Sequence, residues 1–172
     1  MATAAWRTLQ VANRSRGFAL GALVLLAWSC AGAGPMTRPE ETARDARRAE
    51  VHFPTGRVVV AEIADTPARW EEGYMFRREV GENDGMIFVF PEAGVHPFWM
   101  KNTLVPLDMI WMDDAFTVIH VEAKVPPCTA NPCPTYGPLR LARYVLEVRG
   151  GTVGQGLKIG DRLRIAFPQS AQ

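Results

Sequence analysis

The sequence GMIFVF, residues 85–90, decides the fold class because positions 86–90 are apolar without interruption. A short apolar run next to turn-forming residues is typical of a strand that is covered on both faces. The preceding VGENDG, residues 80–85, supplies the turn. We therefore predict that residues 86–90 form a strand inside the domain, with protein packed on either side of it.

Further strand patterns lie on both sides of this run, and they outnumber helix patterns. The segment 57–65, RVVVAEIAD, carries β-branched residues on both faces and predicts a long first strand. Later strands are predicted in HPFWMK and LDMIWM as a hairpin pair, and then in FTVIHVEAKV, RYVLEV and RLRIAF. Pro67 and Gly73 bracket one short helix. The predicted fold is an α+β, β-dominated single domain with a mostly antiparallel sheet or a partly closed barrel and one short helix.

Residues 1–33 have the layout of a secretory leader. An uncharged run, residues 17–29, follows a cationic start, and the first acidic residue is Glu40. The run is shorter than the roughly 20 apolar residues that a membrane span needs. Three outcomes stay open: lipidation of Cys30 as in bacterial lipoproteins, cleavage after the small residues 31–33, or retention as an uncleaved anchor. Each predicts an exported protein, either periplasmic or membrane-anchored with its domain outside the cytoplasm.

The remaining chain divides into a linker, a domain and a tail. Residues 34–50 alternate in charge and hold one large apolar residue, Met36, so we predict a flexible linker. The single globular domain is predicted over residues 51–168, with a tail at 169–172.

The charge of the chain argues against nucleic acid as a partner. Without residues 1–33, the chain has 16 Lys and Arg against 18 Asp and Glu, a net charge of −2. A near-neutral domain lacks the basic surface that binds phosphate backbones. We therefore predict no nucleic-acid partner, and contact with a membrane only through the N-terminal segment or an attached lipid.

A proline-rich loop contains two cysteines, Cys128 and Cys133. In an exported chain such a pair is typical of a disulfide that staples the loop. The three histidines occur singly, so no metal site is predicted. The glycine-rich GGTVGQG, residues 150–156, lacks the order of a dinucleotide-binding motif, and no cofactor is predicted.

The segment FWMKNTLVPLD, residues 98–108, is the strongest candidate for a site. In a symmetric hairpin with its tip at KNTLVPLD, Lys101 lies opposite Asp108. One interpretation is a hairpin braced by this ion pair and capped by the Asn102 amide. The other is a pocket that combines an apolar wall with a few polar groups. Its wall would be Phe76, Trp99 and Met100, and its mouth would carry Lys101, Asn102 and Asp108.

Five motifs together resemble the prokaryotic family catalogued as domain of unknown function 192. They are GYMFR (73–77), GMIFVF (85–90), FWMKNTLVPLD (98–108), YVLEV (144–148) and GLKIGD (156–161). The resemblance covers about residues 59–166 and implies a compact β-rich fold, often exported or envelope-associated, with no established activity. The family pattern has arginine where this chain has Glu72. The polar or amphipathic members of the matching motifs, as candidate ligand-binding residues, are Arg77, Trp99, Lys101, Asn102, Asp108 and Tyr144.

These observations favour an exported, envelope-associated module that binds a small molecule or an envelope component without catalysis. Lys101 and Asn102 would receive an anionic or carbonyl oxygen of the ligand. The alternative is a hydrolase or transferase that acts on a cell-envelope polymer, with Asp108 or Glu147 as base and Lys101 as oxyanion partner. A purely structural module, in which these groups are braces, is the third interpretation.

Overall fold

The computed structural model describes residues 47–169, and the predicted leader, Cys30 and most of the predicted linker lie outside this range. The described elements are β1 (Arg48–His52), β2 (Val58–Ala64), α1 (Pro67–Glu72), β3 (Asp84–Gly94), β4 (Phe98–Trp99), β5 (Leu107–Met112), β6 (Val118–Val125), β7 (Thr135–Tyr136), β8 (Ala142–Arg149), a 3₁₀ turn (Val153–Gln155) and β9 (Arg164–Ala166). In this part of the chain, no helix is long and apolar enough to cross a bilayer.

Seven strands form one mixed sheet in the order β6-β5-β8-β3-β2-β1-β9, and β4 pairs separately with β7. Neighbours in the large sheet are antiparallel except β2 and β3. Parallel neighbours need a crossover connection, and α1 lies in that connection. The β-dominated fold with one short helix is thus confirmed, and its sheet is open instead of closed into a barrel.

The sheet has a buried layer of side chains on each face, because successive residues of a strand point to opposite sides. We call the layer that contains Phe88, Met109 and Val145 the front face. The layer that contains Ile87 and Leu146 is the back face. Strand β3 contributes to both layers, which confirms the prediction from its uninterrupted apolar run.

Helix α1 begins where the proline predicts and ends before Gly73. Its N-cap residue, Thr66, is extended, and Pro67 needs no hydrogen-bond acceptor at the first turn. The Trp70 indole donates to the Ala64 carbonyl at 2.9 Å and packs on Phe90 with ring centroids 5.0 Å apart. The helix therefore covers part of the front face, and Gly73 follows directly after it.

The folded region starts earlier than the predicted boundary at residue 51. Strand β1 begins at Arg48, so the last three residues of the predicted linker belong to the sheet. Ala49 and Val51 are fully buried, while Arg48 and Glu50 are exposed. This two-residue alternation is a strand signal. Within residues 48–50, however, Ala49 is the one apolar residue among charges, and the charges led to the prediction of a linker.

The predicted hairpin between residues 98–101 and 108–111 is wrong. Strand β4 pairs with β7, Phe98 opposite Tyr136, while β5 lies between β6 and β8. Because β5 already has a partner on each side, it has no free edge for β4. The chain instead turns at residues 100–103, where the Thr103 amide donates to the Met100 carbonyl at 3.2 Å.

The loop before β7 contains the predicted disulfide. The Cys128 and Cys133 sulfur atoms are bonded, and the Cys128 amide donates to the Met100 carbonyl at 3.4 Å. The stapled loop thus holds the short β4–β7 ribbon beside the front face.

Candidate functional site

A single acidic side chain, Glu147, lies within the apolar layer of the front face. It belongs to β8 and is paired in register with Met86 on β3 and Met109 on β5. The residue is only 4% exposed. The central position of β8 dictates this burial, because strands flank it on both sides and its faces are both covered.

The Glu147 carboxyl has no compensating partner in the described part of the chain. Burial alone raises the pKa of this group from 4.5 to about 8. Loss of water disfavours the ionised form, and neither a hydrogen bond nor a nearby cation offsets that penalty. Glu147 is therefore a neutral acid at pH 7, able to donate one hydrogen bond and to accept others.

A narrow crevice reaches Glu147 from the surface. Its volume is about 20 Å³, enough for about one water molecule. Four of the five family-like motifs contribute to its lining. The lining residues are Trp70, Glu71, Glu72, Gly73, Tyr74, Met75, Phe88, Phe98, Trp99, Lys101, Thr103 and Glu147. Segments that are distant in the sequence thus converge on one buried carboxyl.

Gly73 allows the chain to pass close over this carboxyl. Its φ is +46°, a conformation that side chains rarely adopt. A Cβ at this position would lie 3.5 Å from Cζ of Phe88 and 3.8 Å from Oε2 of Glu147. The glycine therefore forms a roof over the acid. Next to it, burial and then the Glu147 carboxyl raise the pKa of Tyr74, which keeps the phenol neutral.

Two residues that are adjacent in sequence to lining residues of the crevice have a left-handed backbone conformation. Phe76 has φ = 63° and Asn102 has φ = 55°, both in the left-handed region. The Phe76 amide donates to the Asn102 carbonyl at 2.8 Å, and Met75 bridges to Thr103. Such strain persists only where surrounding contacts fix the backbone, and it clusters at functional sites. The two segments that carry the mouth are thus fixed to each other.

Lys101 and Trp99 form the exposed part of the mouth. The Lys101 ammonium lies 4.8 Å from the centre of the Trp99 ring, a cation–π contact, and Trp99 is 41% exposed. Their contact leaves a cation and an aromatic surface beside the opening. Both residues are predicted site members, and the structure places both at the crevice.

Asp108 lies elsewhere, which overturns the proposed pairing with Lys101. It is fully buried on β5, and its position alternates with Leu107 and Met109 of the front face, so it points to the back. Its oxygens accept hydrogen bonds from the amides of Lys124 at 2.6 Å, Gly151 at 2.9 Å and Val153 at 2.6 Å. Asp108 is therefore a structural brace on the opposite side of the sheet.

The other predicted residues divide between the crevice surroundings and the back face. Arg77 forms a two-point ion pair with Glu62, at 2.7 and 2.8 Å, and lies over the Tyr74 ring. The Asn102 amide nitrogen is 3.8 Å from the Met75 sulfur. Tyr144 packs on Phe116 and Phe167 at the back face, so it belongs to no site with Lys101.

The predicted pocket wall also needs correction. Met100 is buried in the front core and does not line the crevice, while Phe76 is 69% exposed and points away from the core.

Three residues that line the crevice were not predicted from the sequence: Gly73, Tyr74 and Thr103. The burial of Glu147 had a signal in the sequence, because an acid inside the apolar run YVLEV must be buried if the strand is central.

Within residues 47–169, no group of three or more His, Cys, Asp or Glu is placed to hold a metal ion.

The solved structures that are similar to this chain include a protein from Sinorhizobium and one from Novosphingobium. A protein of Sinorhizobium meliloti 1021, described provisionally as a transcription regulator, is 34% identical with a TM-score of 0.60, and the match covers 68% of this chain and 91% of that one. A protein of unknown function from Novosphingobium aromaticivorans DSM 12444 is 32% identical with a TM-score of 0.61, covering 68% of this chain and 83% of that one. A search among curated proteins gave no match.

A family model covers nearly the whole described domain. The match extends over residues 50–165 and includes the segments that build the crevice. It confirms the resemblance inferred from the five motifs. The chain belongs to the family of domain of unknown function 192, DUF192, described as "Uncharacterized ACR".

Proposed function

We propose that this chain is an exported, envelope-associated domain that binds a small ligand without converting it, and that its site is the crevice over Glu147. The observation that carries the proposal is a neutral, buried carboxyl at the end of an opening, with no partner among residues 47–169. Burial of an unpaired polar group costs free energy, so its retention in the core favours a role in binding.

The chemistry of the crevice indicates what the ligand presents. A protonated carboxyl donates its hydrogen bond to an oxygen, and the crevice admits a group of about the size of one water molecule. A neutral amide carbonyl, as in N-acetylated sugars and in peptides, meets both conditions. The rest of the ligand would lie outside, against the Trp99 ring and near the Lys101 ammonium.

The export part of the proposal is supported by the sequence alone. The cationic start and uncharged run within residues 1–33 have the order of a secretory leader. The mass of the mature protein from envelope fractions distinguishes a lipid-modified Cys30 from cleavage after residue 33. A protein that stays in the soluble cytoplasmic fraction with residue 1 intact would contradict export.

A nuclear magnetic resonance titration of the full chain tests the binding site. We expect N-acetylglucosamine to shift the amide signals of Gly73, Tyr74 and Lys101, whereas glucose, which lacks the acetyl carbonyl, should not. Binding should weaken as the pH rises above 8, because Glu147 then loses the proton that it donates. Equal binding of both sugars, or shifts confined to other regions, would contradict the proposal.

Two variants of the same residue separate hydrogen bonding from folding. Glu147→Gln keeps a donor in the crevice, so we expect it to bind without the weakening above pH 8. Glu147→Leu has no donor and should not bind, although its thermal unfolding should remain cooperative. If the leucine variant bound the sugar as well as the natural protein does, the carboxyl would have no part in recognition.

An enzymatic role is the second candidate, because a carboxyl held neutral at pH 7 is also the state of a general acid. Glu71 and Glu72 lie at the same crevice and could act as the second group of a hydrolase. Release of soluble fragments from purified cell-envelope polymer, abolished by Glu147→Gln, would favour this role over binding alone. A DNA-binding role is not favoured for this chain, because residues 34–172 carry a net charge of −2.

A further inference from the structure

A second concave region is much larger than the crevice. This groove has a volume of about 780 Å³, within the range of small-molecule sites. Its lining residues are Arg78, Glu79, Val80, Gly81, Asp84, Val105, Pro106, Arg149 and Gly150. Arg149 is two residues from Glu147 on β8, so both side chains point to the front face.

One wall of the groove is a close backbone contact. The Gly150 amide donates to the Pro106 carbonyl at 2.9 Å. A Cβ on Gly150 would lie 3.0 Å from Pro106 backbone atoms, so a side chain at this position would force the two segments apart. The glycine therefore permits the approach of two segments that form one side of the groove.

The buried Asp108 fixes this wall from behind. Its Oδ1 binds the Gly151 amide and its Oδ2 binds the Val153 amide. The turn that follows β8 is thus bonded to β5 at several points, and the Arg149 backbone immediately before the turn is paired with Leu107. Through these backbone contacts, Asp108 holds Arg149 at the rim of the groove.

Four charged side chains share the groove without pairing. Within residues 47–169, none of Arg78, Arg149, Glu79 and Asp84 has an opposite charge within 4.0 Å. The Asp84 carboxylate lies against Gly81, where a Cβ would collide with its Oδ2, so the loop backbone sets its place. Two cations and two anions thus line one cavity while remaining separate from each other.

We propose that this groove binds a dipolar ligand that carries a carboxylate and an ammonium group, the chemical class of amino acids and short peptides. A guanidinium binds a carboxylate through two parallel hydrogen bonds, and an ammonium group pairs with Asp or Glu. The groove offers both partners together with an apolar floor, Val80 and Val105, that can contact the ligand backbone or a side chain.

Glycylglycine and two singly charged analogues test the groove in the full chain. N-acetylglycine keeps only the carboxylate, and glycinamide keeps only the ammonium group. We expect glycylglycine to shift the amide signals of Val80, Gly81 and Gly150 and to bind about tenfold more tightly than either analogue, the difference that one charge-assisted contact supplies. Shifts at Gly73 and Tyr74 instead would report the crevice, so the two proposals can fail separately.

Charge-neutralising variants check the assignment. Arg149→Gln and Glu79→Gln should each weaken glycylglycine binding about tenfold, while Arg164→Gln, an exposed arginine on β9 outside the groove, should leave binding unchanged. A thermal unfolding measurement on each variant controls for folding. If N-acetylglycine bound as tightly as glycylglycine, or if none of the three probes shifted groove signals, the dipolar assignment would be overturned.

Discussion

Asp108 and Glu147, the buried acidic residues among residues 47–169, differ in how the protein compensates their burial. Asp108 accepts three backbone hydrogen bonds at the back face. Within residues 47–169, Glu147 accepts no such bond at the front face, and burial raises its pKa from 4.5 to about 8. The first carboxylate is thus satisfied by the fold, and the second is left available.

The hydrogen bonds of a buried carboxyl distinguish a structural brace from a candidate binding site. A buried carboxylate that binds backbone amides stabilises the loops around it, so its presence needs no further explanation. A buried carboxyl with no partner lowers stability at neutral pH, and a fold retains such a cost most often at functional positions. The contrast makes Asp108 a structural residue and Glu147 the functional candidate.

The largest expected effect is the loss of the brace. Asp108→Ala leaves three amides without their acceptor, and we expect it to lower the free energy of unfolding by about 4 kcal/mol in urea denaturation. Asp113→Ala is the matched control. Asp113 also accepts two backbone hydrogen bonds, from Ala115 and Thr117, but it is only partly buried, so its loss should cost about 1 kcal/mol. Equal costs for the two variants would contradict the assignment of Asp108.

Glu147→Gln should raise the free energy of unfolding at neutral pH, whereas Asp108→Ala lowers it. The folded state of the natural protein holds a proton that the unfolded state releases between pH 4.5 and about 8, so its stability falls as the pH rises through this window. Below pH 4.5 the carboxyl is protonated in both the folded and the unfolded state, so no stability is lost there. The glutamine variant lacks this loss, and relative to the natural protein it should gain about 3 kcal/mol between pH 4.5 and 7.

Unfolding curves at a series of pH values measure that gain. Glu71→Gln, an exposed glutamate at the mouth of the crevice, is the control and should follow the natural protein at every pH. A glutamine variant whose stability curve ran parallel to that of the natural protein would show that Glu147 is ionised when buried.

Glu62 should have a smaller effect on stability, and its pH dependence should be the reverse of that of Glu147. The hydrogen bond from Arg77 lowers the pKa of this carboxyl, so its stabilising contribution is present above pH 4.5 and is lost as the pH falls below that value. Both side chains of the pair are more than a third exposed, and solvent screening limits the effect of Glu62→Gln at pH 7 to about 0.5 kcal/mol. An unchanged stability difference between pH 7 and pH 3 would argue against the ion pair.

The smallest expected effect is a coupling of about zero between Lys101 and Asp108. Lys101 is exposed at the crevice and Asp108 is buried at the back face, so the two have no shared partner. In a double-mutant cycle, Lys101→Ala and Asp108→Ala should be additive within about 0.5 kcal/mol. A larger coupling would restore the hairpin ion pair that the sequence suggested.

Local patterns were enough to predict much of the fold. The β-branched run gave β2, Pro67 and Gly73 bracketed α1, and the uninterrupted apolar run gave β3. Each of these signals depends on residues a few positions apart, where alternation, proline and glycine act directly on the backbone. Strand β1 was not predicted, because its alternation is short and begins among charges, and the predicted first strand is β2.

The pairing of strands could not be predicted in the same way. Strand β4 lies near β5 in sequence but pairs with β7, more than thirty residues away, since β5 is occupied on both edges. The predicted site depended on this pairing. It grouped Trp99 and Lys101, which line the crevice, with Asp108 and Tyr144, which lie on the other face. The sequence offered Glu147 only as a candidate base of the enzymatic alternative, and its burial follows from the position of β8 between β5 and β3.

A ¹³C nuclear magnetic resonance titration of the Glu147 carboxyl, assigned by comparison with Glu147→Gln, tests whether this group is protonated at neutral pH. We predict that this carbon stays in its protonated position at pH 7 and titrates with a midpoint near pH 8. A midpoint near the ordinary value of 4.5 would mean that the group is ionised in the folded protein, and the crevice would then lack the donor on which the proposed binding depends.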